Sequence, residues 1–354
     1  MQHGRINWVD HAKGVCILLI VAMYTTLSYG DLIQHDSWMT PAIAWSSPFL
    51  IPAFFVLAAL FLNLSLFGST KHFFDRKILH FAYFYLVWML IQKATLDSSL
   101  LVNAPTAFLT DVVRALAEPT DSLVLVYMLV VFHAVTRLTR FLPARKVFIT
   151  AALTQIAFAT GWIDTGWTVA NMFGTWYVFF FAGFVAAPQV FELAERVGGH
   201  TKPLWNVLLG WAVANAAFVV LGVSGLPLIS LALGFAGTAA VIALGIQLNR
   251  IGWLAMVGYA GRHCLIIYLT FVIPMTALQH GFAANGQATH AGLACIVITL
   301  GAIVLPLVFY RLVRETPLKV LYRRPRRLRL MNARNNGSAS LLPPPPPPTA
   351  ARNA

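Results

Sequence analysis

Two side chains in the first apolar run of this 354-residue chain have types and a spacing that suit chemistry. In "WVDHAKGVCILLIVAMYTT" a lysine, Lys13, opens the run, and a phenol, Tyr24, follows eleven residues later. On a helix that spacing rises about 16 Å and turns about 1100°, within about 20° of whole turns, so the two side chains share a face. A cation near a membrane surface would then stand in line with a hydroxyl near mid-depth. Other ionisable groups sit at comparable places: Asp10 beside Lys13, Lys77 with His80, His133 with Arg137, and Arg262 with His263. Ionisable groups at membrane depth are costly, so each is a functional candidate by default. Together these cations form an inner vestibule suited to a phosphate-bearing cofactor. They equally suit a plainer role, as positive anchors that snorkel to the interface.

The elements that must position these residues follow from composition. The chain is 58% hydrophobic and 10% charged, against about 25% charged for an ordinary globular protein. It has too little polar surface for a soluble fold, and its apolar runs are continuous, which excludes a β-barrel. The expected class is all-α, a polytopic membrane protein of about ten transmembrane helices. Apolar windows of bilayer length fall at about 12–29, 46–67, 78–96, 122–141, 146–163, 168–187, 203–222, 226–247, 262–280 and 290–312. With the N-terminus inside, nearly all Lys and Arg fall on the cytoplasmic side, as the positive-inside rule requires. Lys93 and Arg114 are the exceptions. Both termini are therefore expected in the cytoplasm.

The first run is not expected to be a cleaved signal peptide, because further spans follow it and no small-residue cleavage site closes it. Cys16, Cys264 and Cys295 fall within spans and read as buried thiols, not as a disulfide or metal set. The net charge of +13 belongs largely to the C-terminal end. Its "RRPRRLR" directly follows the last span, which suits topology and anionic lipid, not nucleic acid. Beyond it "NNGSASLLPPPPPPTAARNA" is of low complexity, with a proline run that favours extended chain. Residues 1–314 are thus expected to form the membrane domain, and 315–354 a basic, Pro-rich, disordered cytoplasmic tail.

Landmarks along the chain resemble the acyltransferase-3 family. "RINWVDHAKGVCILLIVAMYTT" is similar to its first helix, which carries Asp, two residues, then Arg or Lys and Gly. "PFLIPAFFVLAALFL" is similar to its second helix and "DRKILHFAYFYLVW" to the basic start of its third. "GTWYVFFFAGF" and "GRHCLIIYLTF" are similar to its sixth and ninth. The resemblance implies an integral enzyme of a bacterial-type inner membrane. Such enzymes move an acyl group, commonly acetyl from acetyl-coenzyme A, to a hydroxyl of a glycan or lipid-linked sugar, and no metal is expected. Lys13 matches the family's first-helix cation. Lys77 and His80 stand where its third helix carries a basic pair thought to hold the cofactor's phosphates.

The chain departs from the family at the sites of chemistry. Tyr24 occupies the position of the family's membrane-embedded His, which takes the acceptor's proton. A phenol with a pKa near 10 is only about one part in a thousand ionised at pH 7, so it is a poor base but a competent hydrogen-bond donor. Lys77 meets phosphate as a point charge, without the fork of Arg. His11, His35 and His133 are the available substitutes for the missing base. By helix position alone, Asp121, Asn171, Trp176 and Tyr177 are expected to line the acceptor side. Two other readings fit the same residues. One is a binding or assembly subunit that keeps the fold without turnover. The other is a transporter or glycan-export component, since a cavity with a few polar groups also serves transport.

Overall fold

In a computed structural model the chain is described over residues 7–62, 66, 69–119, 121–197, 201–252, 254–284, 290–325 and 328, and it is all-α. The main helices are α1 (Asn7–Ile33), α2 (Thr40–Ala59), α3 (Leu79–Leu96), α4 (Val124–Leu138) and α5 (Ala144–Ala159). They continue with α6 (Thr168–Val185), α7 (Thr201–Val220), α8 (Pro227–Ile251), α9 in two halves (Cys264–Thr270 and Val272–Ala284), and α10 (Ala291–Val313). Each apolar window read from the sequence coincides with one of them. Six are long and apolar enough to cross a membrane unaided: α1, α2, α4 with its terminal turn, α6, α8 and α10. The halves of α9 make a seventh candidate, bent by 51°. The rest, α3, α5 and α7, are shorter or less apolar helices. The chain is a multi-pass integral membrane protein.

Its outside is apolar in the manner a bilayer demands. On α10, Leu293, Val297, Leu300, Val304, Val308 and Leu312 are exposed at helical spacing, while Cys295, Ile298, Ala302 and Ile303 are buried. Such a stripe covers about one helix face, with the opposite face in the core.

The central element is α1, which packs against α2, α8, α10, α9 and the short helix Ala255–Arg262 ahead of α9. Small residues permit the closest of these approaches. A Cβ added at Gly14 would overlap the Val257 carbonyl oxygen, and one at Gly261 would overlap that of Asp10. Without a strong hydrophobic drive between helices in lipid, such backbone proximity supplies much of the packing. It also fixes the inner end of α1, where Asp10 and Lys13 lie.

Two features depart from a plain reading of the sequence. Lys93, one of the two cations that the charge pattern left on the other side, is neutralised by Asp111 at 3.3 Å, with Asp97 3.9 Å away. Asp111 belongs to the amphipathic helix Pro105–Ala117, which buries Phe108 and Ala115 and exposes Leu109 and Val113. The tail expected from residue 315 begins with a folded segment. After α10 the chain turns at Thr316 into a short 3-10 helix, Pro317–Leu321, and Tyr322 and Arg324 are buried. Its apolar and aromatic side chains find a groove beside α3 and α10 that sequence alone does not display. The remainder of the expected tail, with the proline run and Arg326, Arg327 and Arg329 of the basic cluster, lies outside the described residues.

Candidate functional site

The candidate site begins with two cations, one near the N-terminal end of α1 and one in the turn that leads into α3. Lys13 is half-buried on α1, with Nζ 5.2 Å from the centre of the Phe61 ring just beyond α2. Lys77 lies in the π-turn Phe74–Ile78 that leads into α3. A π-turn inserts an extra residue into the helical ladder and often marks a functional position. Lys77 is also half-buried. Its ammonium is pushed down to about 8, first by burial and then by the cations Lys13 and Arg76. The Lys13 charge is thus among those that act on Lys77. Among the described residues no ion pair joins either to a carboxylate. Two like charges that repel one another, with no carboxylate partner among the described residues, favour an anionic ligand. His80, one turn further along α3, is half-buried with its ring edge-on to Phe84 at 4.8 Å and near Phe81 at 5.5 Å.

Tyr24 stands deeper on the same uninterrupted helix as Lys13. Its ring packs against Phe271 at 5.4 Å, and Phe271 is the residue at which α9 breaks. Between Lys13 and Tyr24 on that face lie Ile17 and Ile20, 2% and 0% exposed. The two polar ends therefore share a face, but packed aliphatic side chains fill the interval.

Two buried glutamines brace the broken helix. Gln92 of α3 donates to the Leu269 carbonyl at 3.0 Å, on the first half of α9, and accepts from the Ser122 hydroxyl at 2.7 Å. Gln279, on the second half, donates to the Thr25 carbonyl at 3.2 Å and the Ser28 hydroxyl at 2.7 Å. The Ser28 hydroxyl in turn donates to the Tyr24 carbonyl at 2.6 Å. The sequence reading weighed ionisable groups and passed over both glutamines. The available signal was a lone amide in an apolar run, as in "VWMLIQK" and "PMTALQH". Further along α1 the hydroxyls of Thr25, Thr26 and Tyr29, like that of Thr299 on α10, are buried and make no hydrogen bond among the described residues.

Other sequence candidates have different employment. Arg137 donates to the Leu66 carbonyl and, at 2.8 Å, to the Thr70 hydroxyl, so it ties down the chain ahead of α3. His133 is 1% exposed, its Nδ1 bonded to the Leu129 carbonyl and its ring enclosed by Phe81 and Phe180 at 5.5 and 5.1 Å. His11 bonds the Asn7 carbonyl at 2.9 Å and packs against Gly258, while His35 is exposed. Arg262 lies over Tyr259, at 5.5 Å, and His263 bonds the Tyr259 carbonyl. Asn171 is engaged by Asp164 and Thr165, and the Tyr177 hydroxyl by Thr136 at 3.2 Å. Trp176 packs near Phe179 at 6.2 Å, and the Asp121 side chain lies outside the described residues.

The assembled features are two cations, Lys13 on α1 and Lys77 in the turn before α3, without a carboxylate partner among the described residues, and a phenol on α1 against a braced helix break. Comparison with known proteins adds one finding. A family model described as an acyltransferase domain matches residues 6–311. No curated protein and no solved structure matches the chain.

Proposed function

The chain belongs to the acyltransferase-3 family, and on that premise we propose that it moves an acyl group, commonly acetyl, from acyl-coenzyme A to a hydroxyl of a glycan or lipid-linked sugar. The acyl donor approaches from the cytoplasm, with both termini on that side of a bacterial-type inner membrane. Its phosphates meet Lys13 and Lys77, with His80 one turn further in. The observation that carries this reading is two mutually repelling cations with no carboxylate partner among the described residues, at positions similar to the family's own basic ones. Transfer takes place beside Tyr24. The acceptor oxygen forms the new C–O bond, the thioester C–S bond breaks, and the acceptor's proton ends on the coenzyme A sulfur. Tyr24 acts here as a hydrogen-bond donor to the thioester carbonyl oxygen, where negative charge develops. The buried hydroxyls outward of Tyr24 suit an acceptor rich in hydroxyls.

A second reading, a relative that binds the acyl donor without turnover, is favoured by two observations. Tyr24 replaces the family's base, and Ile17 and Ile20 fill the interval between it and Lys13. Purified protein in lipid nanodiscs with radiolabelled acetyl-coenzyme A separates the readings. Consumption of label in the presence of membrane glycan acceptors, with release of free thiol, supports the transferase. Binding without turnover supports the second reading, and failure to bind defeats both.

A further inference from the structure

The folded segment after α10 lies beyond the matched domain, which ends at residue 311, and it reaches both ends of the candidate site. Toward α3 it offers backbone acceptors. The Tyr83 hydroxyl donates to the Val320 carbonyl at 2.9 Å, and the Trp88 indole N–H donates to that of Leu321 at 3.0 Å. Toward α9, the hydroxyls of Tyr322 and Thr270 are 2.8 Å apart, next to the break at Phe271 on which Tyr24 packs. The Tyr322 ring rests between Trp88 and Tyr310, at 5.4 and 5.3 Å. Toward the π-turn, Arg324 uses both arms of its guanidinium on one residue. One nitrogen donates to the Asp75 carbonyl oxygen at 2.7 Å and the other pairs with the Asp75 carboxylate. This ion pair is enclosed, with side-chain exposures of 5% and 10%.

Asp75 is two residues from Lys77 within the same five-residue turn. A two-pronged grip on both the backbone and the side chain of one residue restricts the turn far more than a surface ion pair would. Enclosure also makes it exacting, because breaking one partner leaves a buried charge uncompensated. A π-turn widens the helical ladder by one residue, so where Lys77 points depends on how that extra residue is held.

We propose that Thr316–Arg324 is a strap that sets the donor-binding end of α3, with Arg324 the positioning residue that aims Lys77 at the phosphates of acyl-coenzyme A. The inference rests on the reading of Lys77 as an acyl-donor ligand. Arg324 itself stays on Asp75 and does not touch the phosphates. The sequence supplies a reason for such a device. Where relatives carry a basic pair, this chain has a lysine and a histidine, and a single flexible ammonium gains most from being aimed.

The test measures the affinity of acetyl-coenzyme A and the KM and kcat for it, per correctly folded molecule, in nanodiscs. Arg324→Ala should weaken donor binding about tenfold to a hundredfold, the cost expected of a displaced ligand group, and raise KM more than it lowers kcat. Arg324→Lys, which restores charge but not the fork, should recover part of the loss. The pair Asp75→Asn with Arg324→Met removes both charges and so avoids a stranded buried ion. It should fold and still bind donor weakly, which keeps the test decisive if Arg324→Ala does not fold. Gly210→Ala, whose added Cβ would meet nothing within 4 Å and which lies away from the strap, should leave donor affinity unchanged. Lys77→Ala, measured in parallel, separates the two levels of inference. If it weakens binding and the Asp75 and Arg324 variants do not, the strap inference fails while the donor reading stands. If Lys77→Ala has no effect on binding, both are overturned.

Discussion

Tyr24 carries the sharpest question at the scale of single residues, because it stands in line with Lys13 yet has the chemistry of a donor and not of a base. If its hydroxyl supports the thioester oxygen, Tyr24→Phe should lower turnover per folded molecule by about a hundredfold, the usual cost of a lost oxyanion donor. Binding of the acyl donor should stay unchanged, since Lys13 and Lys77 are untouched. Tyr24→His would supply the base that the family uses and should raise turnover above that of the parent chain. If the phenol only packs on Phe271, Tyr24→Phe should cost about 1 kcal/mol of stability and leave turnover unchanged. Measured turnover in the three proteins decides between these outcomes. Lys13, Lys77 and Tyr24 were legible in the sequence because charge and a phenol stand out against an apolar background. Gln92 and Gln279 were not, because an uncharged amide announces nothing until its partners, the carbonyls of Leu269 and Thr25, are brought beside it.

At the scale of elements, the site depends on how closely the short helix Ala255–Arg262 crosses α1. Gly14 faces the Val257 carbonyl and Gly261 faces that of Asp10, in each case with no room for a methyl group. Both obstacles are backbone atoms, which cannot turn aside as the end of a flexible side chain would. Gly14→Ala is therefore expected to destabilise the protein by about 1–3 kcal/mol, the usual range for overpacking a filled contact. It should also weaken donor binding, because Lys13 moves with the backbone of its neighbour. Gly210→Ala serves as the control, since its added Cβ would meet nothing within 4 Å. Thermal unfolding in detergent, with donor affinity measured on the folded fraction, reports both effects. A Gly14→Ala protein as stable as the Gly210→Ala control would show that the two helices do not approach as described.

For the whole molecule, the ten windows were legible because hydropathy sums over about twenty residues and tolerates errors at either end. The bend at Phe271 and the strap were not, because each exists only through distant partners. Gln92 and Gln279 brace the two sides of the bend, and Asp75 receives the strap's arginine across 249 residues of chain. Orientation in the membrane rests on a different sum, the placement of Lys and Arg. That sum predicts that the loop after α1 faces outward and the chain ahead of α3 faces the cytoplasm. Asp36 and Lys71 are exposed in these two places; Cys16 and Cys295 are buried but Cys264, expected buried from the sequence, is only partly so, and Cys264→Ser as the parent keeps background labelling low. Asp36→Cys should react with an impermeant maleimide in intact cells. Lys71→Cys should react only after the membrane is breached. The cation vestibule would then open to the cytoplasm, where an acyl-coenzyme A is available, and the hydroxyls outward of Tyr24 would face the opposite compartment. The reverse labelling pattern would put Lys13 and Lys77 on the wrong side of the membrane for that donor and would overturn the proposed direction of transfer.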